Sequence, residues 1–161
     1  MKRKSVVTGV LAMIVVAAAA GEGRAQSEWT SYREPATGVS LDFPAIFSVN
    51  AGASQRGRGT RFQSDDGKAE LWVFELPNEG RMTPASYVRA NLQVPSSSLD
   101  YSRVTSSFMV VSGVLEGRVF YSRCNFTEGG RGPLHCIHIV YPHAEVRAWD
   151  AMVTRMSRSL R

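Results

Sequence analysis

The segment AELWVFELP, residues 69 to 77, restricts the fold more than any other part of the chain. In an extended strand, alternation sends Leu71, Val73 and Glu75 to one face and Trp72, Phe74 and Leu76 to the other. Both faces are apolar along most of their length, so the segment reads as a central strand that must be covered from both sides. A sheet with one solvated face does not satisfy it; layers above and below are required.

The flanking segments supply the rest of a sheet. VSLDFP, residues 39 to 44, alternates apolar and polar residues, and Pro44 closes a short edge strand ahead of FSVN. GTRFQS leads through SDDGK into the central strand, with Asp65, Asp66 and Gly67 supplying the chemistry of a hairpin turn. Those two carboxylates lack the twelve-residue ligand spacing of a calcium loop. In MTPASYVRANL, Thr83 is placed to cap a short helix, Pro84 takes its first position, and Tyr87, Val88 and Leu92 form its apolar stripe.

A meander of four strands follows: DYSRVTS, SFMVVSGVL, GRVFYSRCNF and LHCIHIVYP, punctuated at Gly113, Gly117 and residues 129 to 132. HAEVRAWDAMVTRMSRSLR then repeats Val146, Trp149, Met152, Val153, Met156 and Leu160 at spacings of three and four. That is an amphipathic helix, with Glu145 near its start and Arg155, Arg158 and Arg161 near its end, each favoured by the helix dipole. The order predicts one α+β domain, a largely antiparallel sheet of about six or seven strands flanked by helices.

The beginning of the chain points to export. Lys2, Arg3 and Lys4 precede an uncharged run from Val6 to Ala20, and small residues continue to Ala25, the pattern of a secretory signal peptide. The run is too short to span a bilayer before Glu22 and Arg24 interrupt it. Residues 1–25 are read as the leader, cleaved after Ala25 or, as the alternative, after Ala20; residues 26–161 form the domain. The location expected is periplasmic or secreted, with no membrane insertion once the leader is removed.

Removing the leader changes the charge. The chain carries 19 basic and 14 acidic residues, and loss of Lys2, Arg3, Lys4, Arg24 and Glu22 leaves 15 against 13. A domain that is so weakly positive has no general electrostatic reason to bind nucleic acid.

Taken in order, GVSLDFP, GTRFQSDDGKAELWVFELP, TPASYV, SGVLEGRVFYSR and YPHAEVRAWDAMVTRMSRSL resemble the PsbP-like fold, the Mog/PsbP type of α/β/α sandwich found in many small exported bacterial proteins. Phenylalanine stands in GVSLDFP where relatives often have tyrosine. The resemblance implies a non-catalytic interaction or assembly module without a cofactor, and leaves its partner, expected to be a periplasmic protein, unnamed.

Both cysteines lie in FYSRCNFTEGGRGPLHCIHIVYP, residues 120 to 142. With EGGRG as the turn, Cys124 and Cys136 stand six residues to either side of Gly130 and oppose one another. The same register pairs Arg123 with Ile137, Ser122 with His138, Tyr121 with Ile139 and Phe120 with Val140. Opposed cysteines in an exported protein predict a disulfide. Two other chemistries use this face. Cys124, Cys136 and His138 offer three soft metal ligands but no fourth, with His135 on the opposite face. Ser122 and His138 offer a nucleophile and a base, but without an orienting carboxylate or a GxSxG elbow. All three histidines read most simply as partly exposed polar residues.

AGASQRGRGTRF gathers Arg56, Arg58 and Arg61 among glycines, a candidate loop for a phosphate or an acidic partner surface. Asn125-Phe126-Thr127 matches a glycosylation sequon, relevant only in a eukaryotic secretory pathway. Two functional classes result: an exported binding module, and a small periplasmic hydrolase or metal-dependent enzyme built on Cys124, Cys136, Ser122 and His138.

Overall fold

The computed structural model describes residues 28–49, 53–92 and 94–161, so the expected leader and both expected cleavage sites lie outside the described residues. In chain order the elements are β1 (Trp29–Arg33), β2 (Ser40–Pro44), β3 (Phe47–Ser48), β4 (Arg58–Ser64), β5 (Glu70–Leu76), α1 (Pro84–Asn91), β6 (Leu99–Val104), β7 (Phe108–Leu115), β8 (Arg118–Phe126), the turn α2 (Thr127–Gly130), β9 (Leu134–Pro142) and α3 (Val146–Ser159).

Seven strands form one sheet in the order β3-β4-β5-β9-β8-β7-β6, and every neighbouring pair is antiparallel. β5 lies inside it, between β4 and β9, as its two apolar faces demand. Leu71 is paired with Ile139 and Val73 with Ile137, and all four are fully buried.

The first face carries the larger core. β2 and α3 cover it, bringing Leu41 and Phe43 from the strand, Val39 from just before it, and Trp149, Val153 and Met156 from the helix. Trp149 stacks on Tyr141 with ring centroids 5.1 Å apart. Burying side chains of this size contributes about 1.5–3 kcal/mol each relative to exposure. β1 pairs with β2 as a separate two-stranded sheet, which Glu34 ties to the main sheet. Tyr32 Oη donates to Glu34 Oε2 at 2.8 Å and Thr60 Oγ1, from β4, donates to the same oxygen at 2.7 Å. Burial would push the Glu34 carboxyl up, but these hydrogen bonds and the Ala36 N–H outweigh it and hold the group below the ordinary carboxylate value.

The opposite face is covered more thinly. Phe74, Cys124, Phe126, Leu134 and Cys136 form a second cluster, with Tyr87 of α1 against the Phe126 ring at 5.6 Å. Thr83 caps α1 by accepting from the Ser86 N–H, with Pro84 first in the helix, as the sequence predicted.

The β8–β9 hairpin has the register read from the sequence, including Ser122 opposite His138 and Cys124 opposite Cys136. The two cysteines form a disulfide with Cα atoms 4.1 Å apart. Glu128, Gly129 and Gly130 all adopt positive φ in the turn, where the two glycines meet the left-handed geometry without steric cost.

One strand was not anticipated, and two expectations change. Trp29–Arg33 is a strand although only two of its residues are apolar, because β2 supplies its hydrogen bonds. Gly113 is not punctuation; it lies within β7, where a Cβ would stand 1.8 Å from the Ser98 carbonyl oxygen. Val146 is 38% exposed, because the helix begins there beyond the edge of the core.

Two outcomes are expected from this packing. Cys124→Ala/Cys136→Ala should lower the unfolding free energy by about 2–3 kcal/mol, the loop-closure value for such a short span, and make it insensitive to reductant in urea titrations. Gly113→Ala, which must push the 96–98 backbone aside, should cost about 1–3 kcal/mol in the same assay; an unchanged midpoint would show that this approach is not tight.

Candidate functional site

The face of the sheet that carries the disulfide is where a site can form. On β8 the residues Arg118, Phe120, Ser122 and Cys124 point the same way, beside Cys136, His138 and Val140 of β9. Met109 and Val111 of β7 and Phe74 and Leu76 of β5 extend the floor. Eight residues of helix give α1 a length of about 12 Å, too little to roof this area. Between sheet and helix lies a cavity of about 510 Å³, with Tyr87, Val88 and Leu92 as its roof and Arg56, Glu116 and Arg118 among its lining. Its size and apolar character are those of a small-molecule site.

One polar pair sits in the floor. Ser122 Oγ and His138 Nδ1 are 2.6 Å apart, and the Trp72 ring lies 5.3 Å from the imidazole. His138 is buried, with 8% exposure, so the expectation of a partly exposed histidine fails there: the roof and Trp72 close over it. Burial, then the nearby Arg56 charge, push its pKa down from 6.5 to about 3. The imidazole is therefore neutral at ordinary pH.

The alternative chemistries of this face are judged by the same geometry. Cys124 and Cys136 are bonded to one another, so neither sulfur is a thiolate ligand. Among the described residues, no group of three or more histidines, cysteines and carboxylates could hold a metal ion. His135 lies on the other face, where its Nε2 stands 3.7 Å from Glu75.

The three arginines of the candidate loop part company. Arg58 and Arg61 belong to β4, three residues apart, and so project to opposite faces. Arg58 forms an ion pair with Glu75. Arg61 turns to the cavity side and pairs with Glu70, donating from Nε at 2.9 Å, while its guanidinium lies 5.4 Å from the Trp72 ring centroid. Arg56 lies over the same ring at 4.9 Å. The structure thus keeps Arg56 and Arg61 together on Trp72 and separates Arg58 from them.

Sequence reasoning missed Arg118. Its Nη2 donates to the Lys68 carbonyl at 2.8 Å and stands 3.9 Å from Glu70. Its Nε is buried and has no hydrogen-bond partner among the described residues. The signal was available, since Arg118 shares the parity of Phe120, Ser122 and Cys124 in a strand whose facing was already known.

The depressed His138 pKa has a consequence for stability. Between pH 6.5 and about 3 the unfolded state binds a proton that the folded state refuses, so stability falls as the pH falls through this window. The slope from this group is roughly 1.4 kcal/mol per pH unit, or about 2 kcal/mol between pH 6.5 and 5. Urea titrations across that range should show the loss, and His138→Gln should flatten it; an identical slope in the variant would refute the assignment.

No protein-family model matches the chain, and no curated protein matches it. Solved structures do. The solution structure of cyanobacterial PsbP (CyanoP) from Synechocystis sp. PCC 6803 superposes with a TM-score of 0.60 at 13% identity, covering 86% of this chain and 95% of that one. The crystal structure of LpqN, involved in cell envelope biogenesis of Mycobacterium tuberculosis, gives a TM-score of 0.50 at 9% identity, covering 83% and 89%. At these identities the likeness is one of architecture. The chain has a PsbP-like fold.

Proposed function

We propose that the protein is an exported, non-catalytic binding module that holds its ligand in the cavity beneath α1. The observation that carries this reading is the cavity itself, about 510 Å³ of largely apolar space floored by a neutral polar pair. An apolar pocket with a few placed polar groups is the form a small-molecule site takes. The disulfide agrees with an oxidising compartment, as does the leader pattern, and no helix among the described residues is long and apolar enough to cross a membrane. LpqN, of similar fold, is described as involved in cell envelope biogenesis, and that likeness of fold does not name a ligand here.

The hydrolase alternative asks His138 to act as a general base. A base with a pKa of about 3 is a weak one at neutral pH, and among the described residues the Ser122–His138 pair has no carboxylate hydrogen-bonded to it. Arg56 and Arg61, held on Trp72, are the groups through which the acidic surface of a periplasmic partner would be met.

An environment-sensitive apolar dye, N-phenylnaphthylamine, should bind with a rise in fluorescence, and Val88→Trp, which fills the cavity from α1, should abolish that rise without changing the melting transition. Hydrolysis of p-nitrophenyl esters that disappears in Ser122→Ala and His138→Gln would instead establish the enzyme.

A further inference from the structure

We infer that the cavity takes a long-chain monocarboxylate, its carboxylate on Arg118 and its acyl chain lying along β8 toward the disulfide. The inference rests on the binding reading above and adds the chemical class of the ligand. Three observations carry it.

The first is shape. Arg118, Phe120, Ser122 and Cys124 all line the cavity, and they succeed one another along a single strand. The six residue steps from Arg118 to Cys124 extend about 20 Å, so the space has a long axis suited to a linear chain rather than a compact ring.

The second is polarity along that axis. At one end are the disulfide sulfurs, Met109 and Phe74; at the other is a guanidinium. Arg118 spends Nη2 on the Lys68 carbonyl, while its buried Nε–H has no acceptor. A buried donor without a partner is costly unless a ligand oxygen satisfies it, and a carboxylate oxygen accepting from Nε gives a charge-assisted hydrogen bond.

The third is the charge count at that end. Arg56 and Arg118 line the cavity with Glu116, and Glu70 is shared by Arg61 and Arg118. Three guanidiniums against two carboxylates leave one positive charge. Such a site balances a monoanion, whereas a phosphate dianion would leave it overcompensated.

The test is isothermal titration of the purified, disulfide-intact protein with sodium dodecanoate and with dodecanol. Dodecanoate is expected to bind at least about tenfold more tightly than dodecanol. Arg118→Met is expected to remove that difference, lowering dodecanoate affinity about tenfold while dodecanol is unaffected. Should Arg118→Met fail to give a cooperative melt, Arg118→Lys keeps the charge without the Nε–H and is expected to lose most of the preference. Equal affinities for acid and alcohol in the wild type, or an undiminished preference in a folded Arg118 variant, would overturn the monocarboxylate assignment and leave the cavity as a binding site. If the dye, the alcohol and the acid all fail to bind, the binding reading falls along with it.

Discussion

β5 presents apolar side chains to both sides, and the rest of the architecture follows from the need to cover them. Strands on either side satisfy its backbone, and layers above and below satisfy Leu71 and Val73 on one face and Phe74 on the other. The two layers are unequal. One combines the fourteen-residue α3 with a two-stranded sheet. The other is chiefly α1, eight residues long. The cavity results from this inequality: a sheet face extending from Arg118 to the disulfide is wider than its roof.

Polar groups hold the layers in register. Glu34, buried beside Thr60, fixes the small sheet on the large one, and removing either partner would strand a buried charge or hydroxyl. Glu70 has a different part, because its surroundings are partly solvated and cationic. Its ion pairs contribute little to stability by themselves. What they do is hold Arg61 and Arg118 beside the cavity, so that the charge of the mouth is set by position rather than by net composition.

Much of this was legible in the sequence, because strand parity converts directly into facing. The β8–β9 register followed from the equal distances of Cys124 and Cys136 from Gly130, and with it came the disulfide and the Ser122–His138 pairing. The two faces of β5, the Thr83-Pro84 helix start and the periodic stripe of α3 were equally plain. Properties that depend on how far one layer extends over another were not. The burial of His138 and the existence of the cavity require knowing where α1 stops and where it lies. β1 carried no strong signal of its own, being held by β2 and by the Arg155 guanidinium 3.9 Å from the Trp29 ring. Gly113 was misread because close approach by the 96–98 backbone and a turn ask for the same residue.

The larger core joins segments that are far apart in the chain. The Asp42 N–H donates to Ser159 Oγ at 2.8 Å across 117 residues, and the Ser40 and Arg161 backbones hydrogen-bond in both directions. Leu41 and Phe43, though Phe43 also packs on Phe62 and Tyr32 nearby, complete their burial only with α3 in place. Contacts of such high sequence separation slow folding, since loop closure is unfavourable until they form. The larger core of a chain with this wiring closes only when its last segment comes back to its first strands.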